Sequence, residues 1–140
     1  MTQITALLLA GSRPGSDPLA QAAGVAVKPL APVRGEPMIN YPARALLAHP
    51  SVGSLLERPD LPFPLLVTTA DHVLLDGDML GQFLAEAEGA DIAVAMVERA
   101  TLLARYPSSR RTWLKFRDGW WSGANLFWFG SARARAIISL

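Results

Sequence analysis

Cysteine is absent from this 140-residue chain. That excludes disulfides, thiolate catalysis and zinc held on sulfur, and it fits the reducing cytoplasm expected as the location. An excess of one charge is also lacking, since 13 basic and 12 acidic residues leave a net +1. The two signs are interspersed, and no field of that size argues for nucleic acid or a membrane surface as a partner. No apolar run approaches the roughly 20 residues that span a bilayer. The apolar N-terminal run has no basic region before it and reads as a strand, not a signal peptide. Two phosphate-loop patterns are missing as well. Gly11 and Gly15 stand four apart with no third glycine and no following Gly-Lys-Ser/Thr, so neither a P-loop nor a dinucleotide fingerprint is present.

What is present suits one folded domain. Apolar residues make up 51% of the chain and charged ones 18%, enough to bury a core at this length. The run Ile4–Ala10 is short, apolar and closed by glycine, as a strand covered on both faces should be. Ser12–Gly35 reads as loop, and a helix is expected from Pro37, with Met38, Tyr41, Leu46 and Leu47 inward, ending at His49-Pro50. Pro62–Thr69 is a second strand. The next helix should run from Asp76 or Asp78 to Glu88 with Met79, Phe83 and Leu84 inward. Asp91–Val97, Thr112–Phe116 and Asn125–Phe129 read as strands, and Ala132–Leu140 begins a helix. Alternating strands and helices predict a three-layer α/β fold: a mostly parallel twisted sheet with helices on both faces.

Such sheets bind ligands beyond the carboxyl ends of their strands. Two candidate groups fall there. A strand ending in Ala10-Gly11-Ser12-Arg13 offers backbone N–H groups and a cation to an anion. Asp71, in Thr68-Thr69-Ala70-Asp71-His72, is placed to hold Mg²⁺ through one carboxylate, with phosphates and water completing the shell. For His72, packing on the next helix is the simpler reading. Lys28 lies in a proline-fixed apolar segment and either snorkels to solvent or points into a site. Ser122-Gly123-Ala124-Asn125 reads as a small-residue turn ahead of a strand, where a ligand could approach the backbone, or as a hairpin edge covered by tryptophans. Arg110, Arg111, Lys115 and Arg117 form the densest basic cluster, able to receive a phosphate but more often a solvated face. Trp120, Trp121 and Trp128 could supply an apolar patch.

Together, Leu8-Leu9-Ala10-Gly11-Ser12-Arg13 and Lys28-Pro29-Leu30, with Pro32-Val33-x-Gly35-x-Pro37-Met38-Ile39, resemble the N-terminal signature of nucleotidyltransferases with a GT-A-like, Rossmann-like fold. The form is most similar to the molybdenum-cofactor guanylyl/cytidylyltransferase-like group. The resemblance implies a Mg²⁺-dependent enzyme that couples an NTP, CTP or GTP foremost, to a small phosphorylated acceptor and releases pyrophosphate. It assigns Ala10, Gly11, Ser12 and Arg13 to the NTP phosphates, Lys28 to charge neutralisation, Asp71 to the metal, and Gly123 and Asn125 to the acceptor side. Arg13, Lys28 and Asp71 would carry the chemistry. Only about ten residues separate Gly53 from Pro64, where the family has a second strand and a base-reading loop. Residues 1–140 therefore read as a single domain lacking a segment near 53–54 and the C-terminal part. The missing strand favours the alternative, a non-catalytic nucleotide- or phosphosugar-binding protein on the same fold.

Overall fold

The computed structural model describes residues 3–11, 15–56 and 62–138. Its centre is a sheet of β1 (Ile4–Leu9), β4 (Val52–Leu56), β5 (Leu65–Thr69), β6 (Ile92–Glu98), β7 (Leu114–Phe116) and β8 (Gly119–Phe129), flanked by helices. The order is β4-β1-β5-β8-β6, with β7 also paired to β8. β1 runs parallel to β4 and β5. β8 runs antiparallel to β5, β6 and β7. All strands but β8 therefore point the same way. Because β8 sits between β5 and β6, most of the neighbouring pairs are nevertheless antiparallel, which corrects the mostly parallel sheet expected from the sequence.

β4 corrects a second expectation. It pairs with β1 from Ile4↔Val52 to Leu7↔Leu56, so a strand occupies the interval that had seemed too short for one. Residues 57–61, which follow it, lie outside the described residues.

The helices α2 (Asn40–Ala48) and α3 (Gly77–Ala87) touch one another and share a sheet face. Ile4, Ala6, Leu46, Leu66, Leu80, Leu126 and Trp128 form the core beneath them. Period-two alternation turns Thr5, Leu65 and Val67 to the opposite face, where they too are buried. Helix α3 starts where Asp76 accepts from the Met79 backbone N–H at 2.8 Å, with Asp78 in the first turn. It buries Leu80 and Ala87 rather than Met79, which is 48% exposed, and in α2 Leu46 is buried while Leu47 faces water. In both helices the true inward stripe passes one position from an apolar neighbour. A short helix, α4 (Arg99–Arg105), lies against β6 and β8; the sequence reading had assigned no element between Val97 and Thr112.

The segment expected as loop between Ser12 and Gly35 has structure of its own. Helix α1 (Pro18–Ala23) is capped by the Asp17 side chain, which accepts from the Leu19 and Ala20 backbone N–H groups, and ends on left-handed Gly24. Lys28–Leu30 forms a 3-10 turn, and β2 (Pro32–Val33) pairs antiparallel with β3 (Glu36–Pro37). Arg34 and Gly35, at φ 51° and 88°, make the two-residue turn whose twist matches a hairpin. The hairpin is pinned at its base, where Met38 N–H donates to Ala31 C=O and Ile39 N–H to Pro29 C=O. The Tyr41 hydroxyl donates to Val33 C=O at 2.7 Å. Proline, glycine and buried Pro29, Ala31 and Met38 thus fix the backbone that presents Lys28.

Candidate functional site

The carboxyl ends of β1 and β5 lie side by side, with Leu9 opposite Thr69. One further rung, Ala70 N–H to Leu9 C=O at 2.9 Å, carries Ala10 and Gly11 out beside Asp71. Both are exposed, and the space where a Gly11 side chain would begin is open. Ser12 and Arg13, the other two residues expected to hold phosphates, lie outside the described residues.

Lys28 and Asp71, 43 positions apart, meet here: Lys28 Nζ stands 2.8 Å from Asp71 Oδ2. The Thr69 hydroxyl donates to Asp71 Oδ1 at 2.6 Å. Lys28 above all, and Thr69 after it, hold the Asp71 carboxyl below the usual carboxylate range, against an opposing contribution from burial. Both side chains are a little over one-third exposed. The ammonium therefore stands at the strand-end mouth, paired with Asp71 and still partly open to solvent.

Gly123 and Asn125 are brought to the same end of the sheet, but not as a turn ahead of a strand. They lie inside β8, at an irregularity where Val94 pairs with Phe127 and Met96 with Gly123. One β6 residue thus faces three on β8, a bulge that redirects side chains locally. Asn125 takes up the extra length at φ 53°, a conformation asparagine tolerates better than most residues. Its observed contact is through the backbone: Asn125 C=O accepts from the Thr68 hydroxyl at 2.7 Å.

This contact orders a neighbour that the sequence reading had left to packing. Thr68 is fully buried, and its Oγ1 lies 3.1 Å from His72 Nδ1. A threonine hydroxyl has one proton, and a carbonyl can only accept it. With that proton directed to Asn125, Thr68 Oγ1 accepts from His72 Nδ1–H, and His72 Nε2 is left as an acceptor. Burial is the main cause that keeps His72 below the ordinary histidine pKa, with Arg111 adding to it and Asp71 opposing. The balance favours the neutral imidazole.

Arg111 is the second residue whose role the sequence did not separate from its cluster. Its Nε donates to Ser122 Oγ at 3.0 Å and its guanidinium to Gly123 C=O at 2.6 Å. β8 pairs with β5 over Leu126–Phe129 and with β7 over Gly119–Trp121. Arg111 closes part of the interval between those two pairings. Such a role depends on strand pairing across the sheet, and only the sequence's local basic run was visible beforehand. Of the three tryptophans read as a patch, Trp128 is core, with its indole N–H donating to Ala90 C=O at 3.2 Å. Trp120 is 43% exposed, beneath the Lys115 ammonium.

For a divalent cation, the described residues offer no cluster of three or more carboxylate or imidazole ligands. Asp71 is a lone carboxylate with each oxygen already accepting one hydrogen bond and retaining a second lone pair. That donor set fits Mg²⁺ arriving with phosphates, which commonly takes one or two protein carboxylates and fills its octahedron from substrate and water.

No protein-family model matches the chain, and no curated protein matches it. Among solved structures it is similar to one described as a hypothetical transferase from Thermus thermophilus. The likeness has 26% sequence identity and a TM-score of 0.76, and it covers 99% of this chain and 73% of that one.

Proposed function

We propose that the protein is a nucleotidyltransferase, binding an NTP across the strand-end mouth and passing its nucleotidyl group to a small phosphorylated acceptor. The likeness to a hypothetical transferase supports a transferase of some kind. The observation that carries the finer reading is the contact of Lys28 with Asp71, beside the exposed backbone of Ala10 and Gly11. A cation, exposed backbone and one carboxylate converge where this class of sheet binds its ligands.

In the reaction, an acceptor phosphate oxygen attacks the α-phosphorus in line. A new P–O bond forms as the bond to the β-phosphate oxygen breaks, and pyrophosphate leaves with that electron pair. The protein's part is positioning and charge stabilisation. Lys28 exchanges Asp71 for a phosphate oxygen, which frees one carboxylate oxygen of Asp71 for Mg²⁺. The ion supplies Lewis-acid neutralisation of the developing negative charge. Ala10 and Gly11 provide the backbone wall, the sequence resemblance assigns Ser12 and Arg13 to the same phosphates, and Gly123, Asn125 and Arg111 border the acceptor.

Thermal unfolding with each of four NTPs, with and without Mg²⁺, tests this reading. A ligand at one hundred times its Kd adds about 2.7 kcal/mol of stability, a shift of several degrees. One NTP, CTP or GTP foremost, should give that shift in a Mg²⁺-dependent way, and Lys28→Ala should remove most of it. Absence of a shift with all four, or a Lys28→Ala chain that responds like the parent, refutes the assignment.

A further inference from the structure

The near-neutral balance of the whole chain hides a local excess. Arg105–Trp121 carries five of the 13 basic residues and one of the 12 acidic ones, so this stretch is basic while the remainder is net acidic. Arg110, Lys115 and Arg117 are exposed, and none has a carboxylate partner among the described residues. The same stretch exposes apolar bulk: Leu114 is 50% exposed, Phe116 47% and Trp120 43%. Strand pairing decides how these groups are presented. Trp121 pairs with Glu98 of β6 on one flank and with Leu114 of β7 on the other. β7 therefore holds the flank of β8 that β5 holds further along, past the carboxyl end of β5. All three β7 residues are exposed, and its outer edge pairs with no strand among the described residues. Such an edge offers backbone N–H and C=O groups to an incoming strand. Alternation puts Leu114 and Phe116 on one face of β7 and Lys115 on the other, where its ammonium lies over the Trp120 ring. The basic and apolar groups thus do not share one face that could lie flat on a bilayer. A strand laid along the edge meets both faces at once.

We infer that the outer edge of β7 docks an extended acidic segment of a partner protein, added as a strand in which apolar and acidic residues alternate. Its apolar side chains lie beside Leu114 and Phe116, and its carboxylates face Lys115. Arg110 and Arg117, which flank β7 in the chain, extend the complementary charge to either side of it. A second copy of this chain at the same edge would set like charges against each other, which is unfavourable. The docked strand uses neither Lys28 nor Asp71, so the inference stands apart from the nucleotidyltransferase reading.

A short synthetic peptide of alternating valine and glutamate, titrated into the full chain, tests this. Amide hydrogen exchange at Leu114–Phe116 should slow, and the Trp120 indole signal should shift with it. Methylating the central backbone nitrogens of the peptide keeps its charge but removes donors. Affinity should then fall about three- to ten-fold for each hydrogen bond lost. The double variant Lys115→Glu/Arg117→Glu should bind the parent peptide about ten-fold more weakly. High salt should weaken binding to the parent chain in the same direction, and a valine–lysine peptide should not bind. Equal binding of the methylated and unmethylated peptides, or of the acidic and basic ones, overturns the inference. Protection of Leu114–Phe116 that grows with protein concentration alone marks a second copy and overturns it too. So does protection by phosphatidylcholine–phosphatidylglycerol vesicles where the acidic peptide gives none, which marks a lipid surface. If the double variant fails to fold, the peptide comparisons on the parent chain still decide it.

Discussion

Lys28 and Asp71 form an ion pair with both side chains more than one-third exposed. Pairs this exposed contribute about 0–1 kcal/mol, so Lys28→Met should barely move the unfolding midpoint at neutral pH. It should instead release the Asp71 carboxyl toward its usual value of 3.8, a rise that a carbon NMR titration of the side chain would read. The sign of the linkage follows. A depressed carboxylate stabilises the fold above its unfolded pKa, and that contribution is lost as the pH falls through the folded value. His72 acts in the same direction at higher pH: its lowered pKa favours the fold fully above about 6.5, and less as the unfolded chain begins to take up the proton. Acidification should thus weaken the parent chain in two stages, and Lys28→Met should flatten the lower one. An unchanged Asp71 titration in that variant would show that Lys28 is not what holds the carboxyl down. Lys28 and Asp71 were legible in the sequence because a lysine in an apolar segment just ahead of Pro29 and Pro32 and an aspartate at a strand end are unusual locally. His72 and Arg111 were not, because their orientation comes from Thr68, Ser122 and Gly123, partners that only strand pairing identifies.

Elements were legible in proportion to how far one short-range signal sufficed. Strand β5 and helix α3 were marked by an apolar run and an acidic cap. The hairpin Pro32–Pro37 was not, although Gly35 stood at its turn, because each of its strands is two residues long and carries no period. The bulge in β8 was read as a turn for a related reason: Gly and Asn signal departure from extended backbone without saying whether the strand resumes. That distinction yields a prediction. Since Asn125 contributes its carbonyl and a positive φ, Asn125→Gly should keep the fold to within a few tenths of a kcal/mol. Asn125→Val, forced into the same conformation, should cost roughly 1–2 kcal/mol. Equal denaturant midpoints for the two variants would show that the left-handed turn is not required. The strand at Val52–Leu56 also removes one observation, the apparently missing strand, that had favoured a binding protein without turnover.

At the scale of the whole molecule, stability resides in the sheet face under α2 and α3. Leu66 sits at its middle, fully buried on a strand bonded to β1 on one side and β8 on the other. Leu66→Ala should lower the unfolding free energy by about 2–5 kcal/mol, as a shift in denaturant midpoint with little change in slope; a cost under 1 kcal/mol would contradict the core drawn here. Among the described residues no helix is long and apolar enough to cross a membrane. The strand order has a further consequence, in time rather than in space. Among the described residues β1 pairs only with segments that begin at Val52 and Leu65, and β6 only with β8. On a ribosome adding about 5–20 residues per second, Ile4–Leu9 emerges seconds before any strand that can cover it. β6 likewise waits for the chain to reach Gly119. An apolar strand made early and paired late leaves its edges uncovered for that interval of synthesis.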